Sequence, residues 1–254
     1  MLDYTLQCTL GIVSKRKALM QVVILAGGFG TRLAEETDLI PKPMVLIGEE
    51  PILIHIMRYY ASFGHVEFLI ALGYKSEIVF EYFKLRKNFE PIGWKVTLVD
   101  TGLSTSTGGR IKKLQSELNE EFMLTYGDGL SNIDLELLLS KHHSEGKIAT
   151  VSAVHPPARF GSLVIQDSLV IKFSEKDPED TGWINGGYFC FNKKICDYLP
   201  DYETPLESAP LHNLVKTQQL AAFLHQGWWQ PMDSLRDKRI LEELWNSGKI
   251  PWKR

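Results

Sequence analysis

From Gln21 onward, short β-branched runs alternate with amphipathic stretches, the pattern of βα units wound around a mostly parallel sheet. Val22-Val23-Ile24-Leu25 is apolar without a break, as a strand is when both of its faces are covered. Ile52, Leu53, Ile56, Tyr59, Tyr60 and Phe63 recur at close to helical spacing, which predicts a helix over 52–63. Further strands are predicted at Phe68 to Leu72, Lys95 to Val99, Phe122 to Thr125 and Ala149 to Val154, with helical stretches between several of them, as right-handed crossovers require. The expected core is α/β, doubly wound and Rossmann-like.

The pattern changes after residue 160. Ser162 to Ile165 and Leu169 to Phe173 flank Gln166-Asp167-Ser168, a predicted antiparallel hairpin added to the parallel core. Tyr188 to Phe191 adds a strand, Leu211 to Lys216 a short helix, and Asp233 to Trp245 a terminal helix whose apolar positions are Leu235, Ile240, Leu241 and Leu244. No Ser/Gly linker and no internal repeat divides the chain, so residues 20–254 are expected to form one domain. Residues 1–19 read as a weakly structured extension: Leu10 to Val13 is short, and the basic cluster Lys15-Arg16-Lys17 follows it, the reverse of a secretion signal.

Composition narrows the chemistry. With 254 residues, 44% hydrophobic and 23% charged, the chain can bury a sizeable core. A formal charge of -3 supplies no field for a nucleic-acid backbone or an anionic membrane, and no apolar run is long enough to span a bilayer, so the expected ligand is small. Cys8, Cys190 and Cys196 form neither a CxxC pair nor an even disulfide framework, which points to reduced thiols and a cytoplasmic chain.

Leu25-Ala26-Gly27-Gly28-Phe29-Gly30-Thr31-Arg32 follows the first strand, where an open α/β sheet places its ligand crevice. Its glycines let successive N–H groups approach an anion and form a phosphate nest. It is neither a P-loop, having no Gly-Lys-Ser/Thr, nor a dinucleotide fingerprint, since Leu33 stands where the third glycine belongs. Downstream, Lys42 lies between Pro41 and Pro43, a cation on a stiffened loop suited to neutralising a triphosphate. Asp128 in Gly127-Asp128-Gly129 follows a strand, where its hard oxygens suit a Mg²⁺ shared with phosphates; an Asp between glycines is equally an ordinary turn former.

The pair formed by Gly27 to Leu33 and Pro41-Lys42-Pro43 resembles the signature of the sugar-1-phosphate nucleotidyltransferases, G-G-x-G-T-R-L followed by P-K-P. The resemblance continues through Thr101-Gly102, Thr107-Gly108-Gly109-Arg110, Ser174-Glu175-Lys176 and Trp183 to Tyr188, so it spans most of residues 20–254. Tyr126-Gly127-Asp128-Gly129, Val99 to Gly102, Pro156 to Gly161 and Trp229 to Asp233 are most similar to the branch that transfers CMP from CTP to glucose 1-phosphate. The likeness implies a nucleotide-diphospho-sugar transferase fold, Mg²⁺ as cofactor and assembly as a homo-oligomer. It implies catalytic roles for Arg32, Lys42 and Asp128, and a metal held by Asp128 and Asp233; on the plainer reading Asp233 is the N-cap of the terminal helix. Nucleotide contacts would come from Leu25 to Arg32, Lys42, Thr101, Thr107, Gly108 and Tyr126, and sugar-phosphate contacts from Gly127, Glu175, Lys176, Asn185 and Gly186.

Two features depart from the family pattern. The stretch from Lys84 to Lys95, tied to subunit contacts near the nucleotide, is shorter, and Ala209 replaces a second acidic residue after Glu207. Thymidylyl, uridylyl or guanylyl transfer is the alternative within the same fold, and a silent nucleotide-binding subunit the alternative outside catalysis. A metal-dependent glycosyltransferase would need an Asp-x-Asp pair where Gly127-Asp128-Gly129 stands. His142, His143 and His155 lack partners at motif spacing and are assigned no role, and Trp228, Trp229, Trp245 and Trp252 are read as packing residues.

Overall fold

The computed structural model describes residues 19–85, 93–156, 162–174 and 182–254. Its strands are β1 (Gln21–Leu25), β2 (Leu46–Ile47), β3 (Glu50–Pro51), β4 (Glu67–Leu72), β5 (Lys95–Asp100), β6 (Glu121–Tyr126), β7 (Gly129–Ser131), β8 (Ala149–Val154), β9 (Ser162–Gln166), β10 (Leu169–Ser174), β11 (Ile184–Asn192), β12 (Leu220–His225) and β13 (Trp229–Pro231). The α-helices are α1 (Ala34–Thr37), α2 (Ile52–Ser62), α3 (Ser76–Leu85), α4 (Thr107–Lys113), α5 (Leu135–Glu145), α6 (Ala209–Lys216) and α7 (Leu235–Asn246).

Seven strands form one sheet in the order β12-β8-β11-β6-β1-β4-β5. Strands β1, β4, β5 and β6 run parallel, β12 is parallel to β8, and β11 lies antiparallel between β6 and β8. The mostly parallel mixed sheet expected from the hydrophobic pattern is therefore present. Alternation along β1 feeds two layers: Val22 and Ile24 join a core with Phe68, Ile70 and helix α2, whereas Val23 and Leu25 join one with Leu69, Phe122 and Ile111 of α4. Val22, Val23 and Ile24 are fully buried, each stabilising the fold by about 1.5–3 kcal/mol relative to exposure.

The hairpin is also present: β9 and β10 pair antiparallel across Asp167 and Ser168, both at positive φ as a two-residue turn of this hand requires. Edge strand β12, with Ala221 and Ala222 at its centre, has little β-branched character and escaped the sequence pattern. The terminal helix begins later than expected. Its N-cap is Ser234, whose hydroxyl accepts from the Asp237 N–H while the Asp237 carboxylate accepts from the Ser234 N–H. Asp233 thus lies outside the helix, and the plainer reading of it as the cap is corrected.

Cys190 and Cys196 are free and buried, and Cys8 lies outside the described residues. The expectations for residues 1–18, for the centre of the Lys84 to Lys95 stretch and for residues 157–161 also fall outside them. Among the described residues, no helix is long and apolar enough to cross a membrane.

Candidate functional site

Chain order reverses at β1, which pairs with β4 on one side and β6 on the other, so connections leaving their carboxyl ends diverge and open a crevice there. A cavity of about 500 Å³ occupies this crevice. One wall is the glycine turn, Leu25 to Thr31; the others come from Lys42 and Pro43, from Leu103 to Thr107 with Arg110, and from Tyr126 to Asp128. Local chemistry shapes the turn. The Ala26 N–H donates to Ala71 O and the Tyr74 N–H to Gly27 O, tying it to β4, while Gly30 takes φ +66, a left-handed conformation that glycine enters without penalty. Among the described residues, the N–H groups of Gly28, Phe29, Gly30 and Thr31 make no hydrogen bond, leaving donors for an anion.

Lys42 begins a short 3₁₀ turn, Lys42–Met44, after extended Pro41. Its ammonium, mostly buried, lies 2.7 Å from Asp128 Oδ2 and 2.8 Å from Asp233 Oδ1. Burial alone would lower the lysine pKa, but the two carboxylates outweigh it and hold the group above its ordinary value. A small sheet explains how these distant residues meet. β7 and β13 pair antiparallel, Gly129 opposite Pro231, and the Met232 N–H donates to Asp128 O at 2.8 Å, which sets the two aspartates side by side. The Asp233 backbone is fixed in turn by the Asp237 carboxylate.

A second cluster closes the cavity beside α4. Glu207 accepts hydrogen bonds from the Tyr126 hydroxyl and from Thr107 Oγ1, the latter at 2.6 Å. Burial, together with that carboxylate, pushes the Tyr126 hydroxyl well above its usual range, so it stays a donor. Asn185 stands at the start of antiparallel β11, at the same sheet edge, and its Nδ2 reaches the Tyr126 hydroxyl at 3.4 Å. The Gly186 carbonyl accepts from Trp229 Nε1 at 2.7 Å, which joins β11 to β13.

The expected site residues divide by position. Leu25 to Thr31, Lys42, Thr107, Tyr126, Gly127 and Asp128 line one cavity, and Asp233 adjoins it through Lys42. Thr101 is not among the lining residues: it is buried, with its hydroxyl donating to Leu72 O. Gly108 is likewise buried, packed against the Thr204 carbonyl. Neither Asn185 nor Gly186 lines the cavity wall. Glu175, Lys176 and the side chain of Arg32 lie outside the described residues. Arg110 and Glu207 were missed as site residues: Arg110 stands in the Thr107-Gly108-Gly109-Arg110 stretch of the resemblance without a role of its own, and a carboxylate from a loop carries no spacing signal.

Among the described residues, no group of three or more His, Cys, Asp or Glu side chains clusters as a metal site. Asp128 and Asp233 nevertheless present oxygens to a single cation, the ammonium of Lys42. That donor set fits a small hard divalent ion, which commonly takes one or two carboxylates and completes its shell with phosphate and water.

A family model described as Nucleotidyl transferase matches residues 21–233. The glucose-1-phosphate cytidylyltransferase of Salmonella typhi is 45% identical, over 92% of this chain and 99% of that one. The mannose-1-phosphate guanyltransferase of Saccharomyces cerevisiae is 28% identical, over 86% of this chain and 62% of its own length. Among solved structures, HddC from Yersinia pseudotuberculosis, complexed with GMP-PN, superposes with a TM-score of 0.71 at 28% identity, covering 89% of this chain and all of that one. A signature match across most of the chain, on a sheet that opens at the expected edge, places this protein in the nucleotidyl transferase family.

Proposed function

We propose that this chain transfers CMP from CTP to glucose 1-phosphate, releasing pyrophosphate and forming CDP-glucose. The observation that carries the reading is the convergence of Lys42, Asp128 and Asp233 beside a turn with unengaged amides. The choice of CTP and glucose 1-phosphate is supported by the 45% identity to a named glucose-1-phosphate cytidylyltransferase, well above the 28% to a guanyltransferase.

The chemistry follows from charge. A phosphate monoester loses its second proton near pH 6, so at neutral pH the sugar phosphate is already a nucleophile and needs no general base. One of its oxygens attacks the α-phosphorus, the bond from that phosphorus to the α,β-bridging oxygen breaks, and pyrophosphate leaves with the electron pair. The protein's task is to align two anions and offset their repulsion. The amides of Gly28 to Thr31 bind the triphosphate, Arg32 adds charge to the same turn, and Lys42 stabilises charge at the α-phosphorus. Tyr126 and Thr107, tied together by Glu207, bound the nucleotide side; Gly127, Glu175, Lys176, Asn185 and Gly186 serve the sugar phosphate.

Enzymes of this family generally use a divalent metal, and Asp128 and Asp233 are the residues that would hold Mg²⁺ here. When bound, the ion neutralises phosphate charge and favours departure of pyrophosphate. The same resemblance brings a cytoplasmic homo-oligomer into the proposal. Pyrophosphate release from a matrix of four triphosphates and several sugar 1-phosphates tests the reading: the highest kcat/KM is expected for CTP with glucose 1-phosphate, and a clear preference for another triphosphate would reassign the base.

A further inference from the structure

The first turn of α7 reaches both halves of the site. Asp237, a buried carboxylate, accepts from the N–H groups of Asp233 at 3.2 Å and Ser234 at 3.0 Å, which fixes the residue proposed to hold the metal. The next residue, Lys238, reaches a different element: its Nζ lies 2.6 Å from Glu36 Oε1 on α1, 202 positions away in the chain, and 3.6 Å from Glu242 Oε1 one turn further along α7. Side-chain exposure is 17% for Lys238 and 31% for Glu36, so the pair is shielded where the ammonium of Lys95, 71% exposed in its pair with Glu67, is not. Burial would lower the Lys238 pKa, but Glu36 and Glu242 outweigh it and keep the ammonium charged.

Helix α1 depends on such ties. It has four residues, one turn, too few to hold a helix without tertiary contacts, and it continues directly from the 3₁₀ turn Thr31–Leu33 at the end of the glycine turn. Thr37, its last residue, is buried, and its Oγ1 donates to Gly30 O at 3.1 Å and Leu33 O at 3.0 Å. A Cβ at Gly30 would lie 2.9 Å from Thr37 Cγ2, so the threonine methyl packs into the space that the left-handed glycine leaves. The end of α1 is also held by Lys75, whose ammonium donates to Asp38 O. A path of contacts thus runs from Lys238 through Glu36 and Thr37 to the Gly30 carbonyl. Ion pairs near the surface add little to global stability, so the consequence of this one lies in where it holds α1.

We propose that Lys238 and Glu36, neither of which lines the cavity, are a positioning pair: they tie α1, and through Thr37 the glycine turn, to the same helical turn that fixes Asp233, so that the anion-binding amides and the aspartate keep one spacing. The inference rests on the nucleotidyl-transfer reading for the identity of the anion, and its test does not depend on turnover. Inorganic tripolyphosphate is titrated calorimetrically into the wild-type protein, Lys238→Met, Glu36→Gln, the double variant and Lys238→Arg. Each single variant is expected to bind about three- to tenfold more weakly, the scale of coupling within one contacting pair. The decisive variant is Glu36→Gln. Removing a negative charge near an anion site would by field alone tighten binding, whereas a loosened α1 weakens it. The double variant should lose little more than the worse single variant, because the pair acts as a unit, and Lys238→Arg, which keeps charge and reach, should stay within about twofold of wild type. KM for CTP should rise in parallel with the single variants while KM for glucose 1-phosphate stays within about twofold. If Lys238→Met fails to fold, the near-isosteric Glu36→Gln carries the test. Unchanged or tighter binding by Glu36→Gln overturns the proposal, as do losses that multiply in the double variant, an equal rise in both KM values and absent binding by the wild type. Failure of the transfer reading is separate: the wild type would then release no pyrophosphate, whatever these variants bind.

Discussion

The Nζ of Lys42 lies 2.7 Å from Oδ2 of Asp128, 86 residues further along the chain, and the same ammonium reaches Asp233, 191 residues away, at 2.8 Å. A stiffened loop, the turn between β6 and β7 and the residue before the N-cap of the last helix therefore share one cation. Their meeting depends on the two short strands β7 and β13, whose pairing aligns Asp128 with Asp233. The ammonium places one positive charge between the two carboxylates.

Replacing Lys42 with methionine should cost about 3 kcal/mol of transition-state stabilisation, or roughly a hundredfold in kcat, the scale found when a preorganised charge is removed from a developing phosphoryl charge. Steady-state kinetics at saturating CTP and glucose 1-phosphate read this directly. Near-normal turnover would remove Lys42 from the reaction.

Asp128→Asn and Asp233→Asn each withdraw one negative charge from the pair proposed to hold the divalent ion. Titration of activity with Mg²⁺ should move the half-maximal concentration upward by about tenfold or more in either variant, since affinity for hard cations follows ligand charge. An unchanged titration in Asp233→Asn would exclude that residue as a ligand.

The rate should vary with pH in one direction only across the neutral range. kcat/KM should rise to a plateau as the sugar phosphate passes its second ionisation near pH 6, and stay flat through pH 9 because Lys42 is held protonated above its ordinary 10.5. A second descending limb near pH 7 to 8 would indicate an acid that the proposed chemistry lacks.

Buried histidines set the acid limit of the fold. His55, His142 and His225 are each pushed below the ordinary 6.5, chiefly by burial, and His142 Nδ1 is paired with Thr150 Oγ1 at 2.9 Å. Below pH 6.5 the unfolded chain takes up protons that the native chain resists, so stability falls as pH drops from that value toward the lowered native pKa values. Urea midpoints measured from pH 7.5 to 5 should decline, and His142→Gln should flatten part of the decline. An equal slope in that variant would show that His142 contributes nothing to it.

The parts of this protein that could be read from sequence are those where one local pattern decides the outcome. The unbroken apolar run of β1 demanded burial on both faces, and the glycine turn and Pro41-Lys42-Pro43 carried their chemistry in adjacent residues. What escaped depends on tertiary partners. Strand β12 forms around Ala221 and Ala222 because β8 offers a parallel edge, overriding weak local propensity. Ser234 rather than Asp233 caps α7 because Asp237 completes a capping box with it. Glu207 enters the site only because the loop before α6 brings it against Thr107 and Tyr126, and Arg110 only because α4 points it beneath the glycine turn.

The most direct measurement is a phosphorus NMR spectrum of a reaction containing CTP, glucose 1-phosphate and Mg²⁺. Cleavage at the α-phosphorus predicts loss of the glucose 1-phosphate resonance, growth of two coupled signals from the diphosphate bridge of CDP-glucose, and one pyrophosphate per product. Release of inorganic phosphate with glucose 1-phosphate left intact would contradict the account.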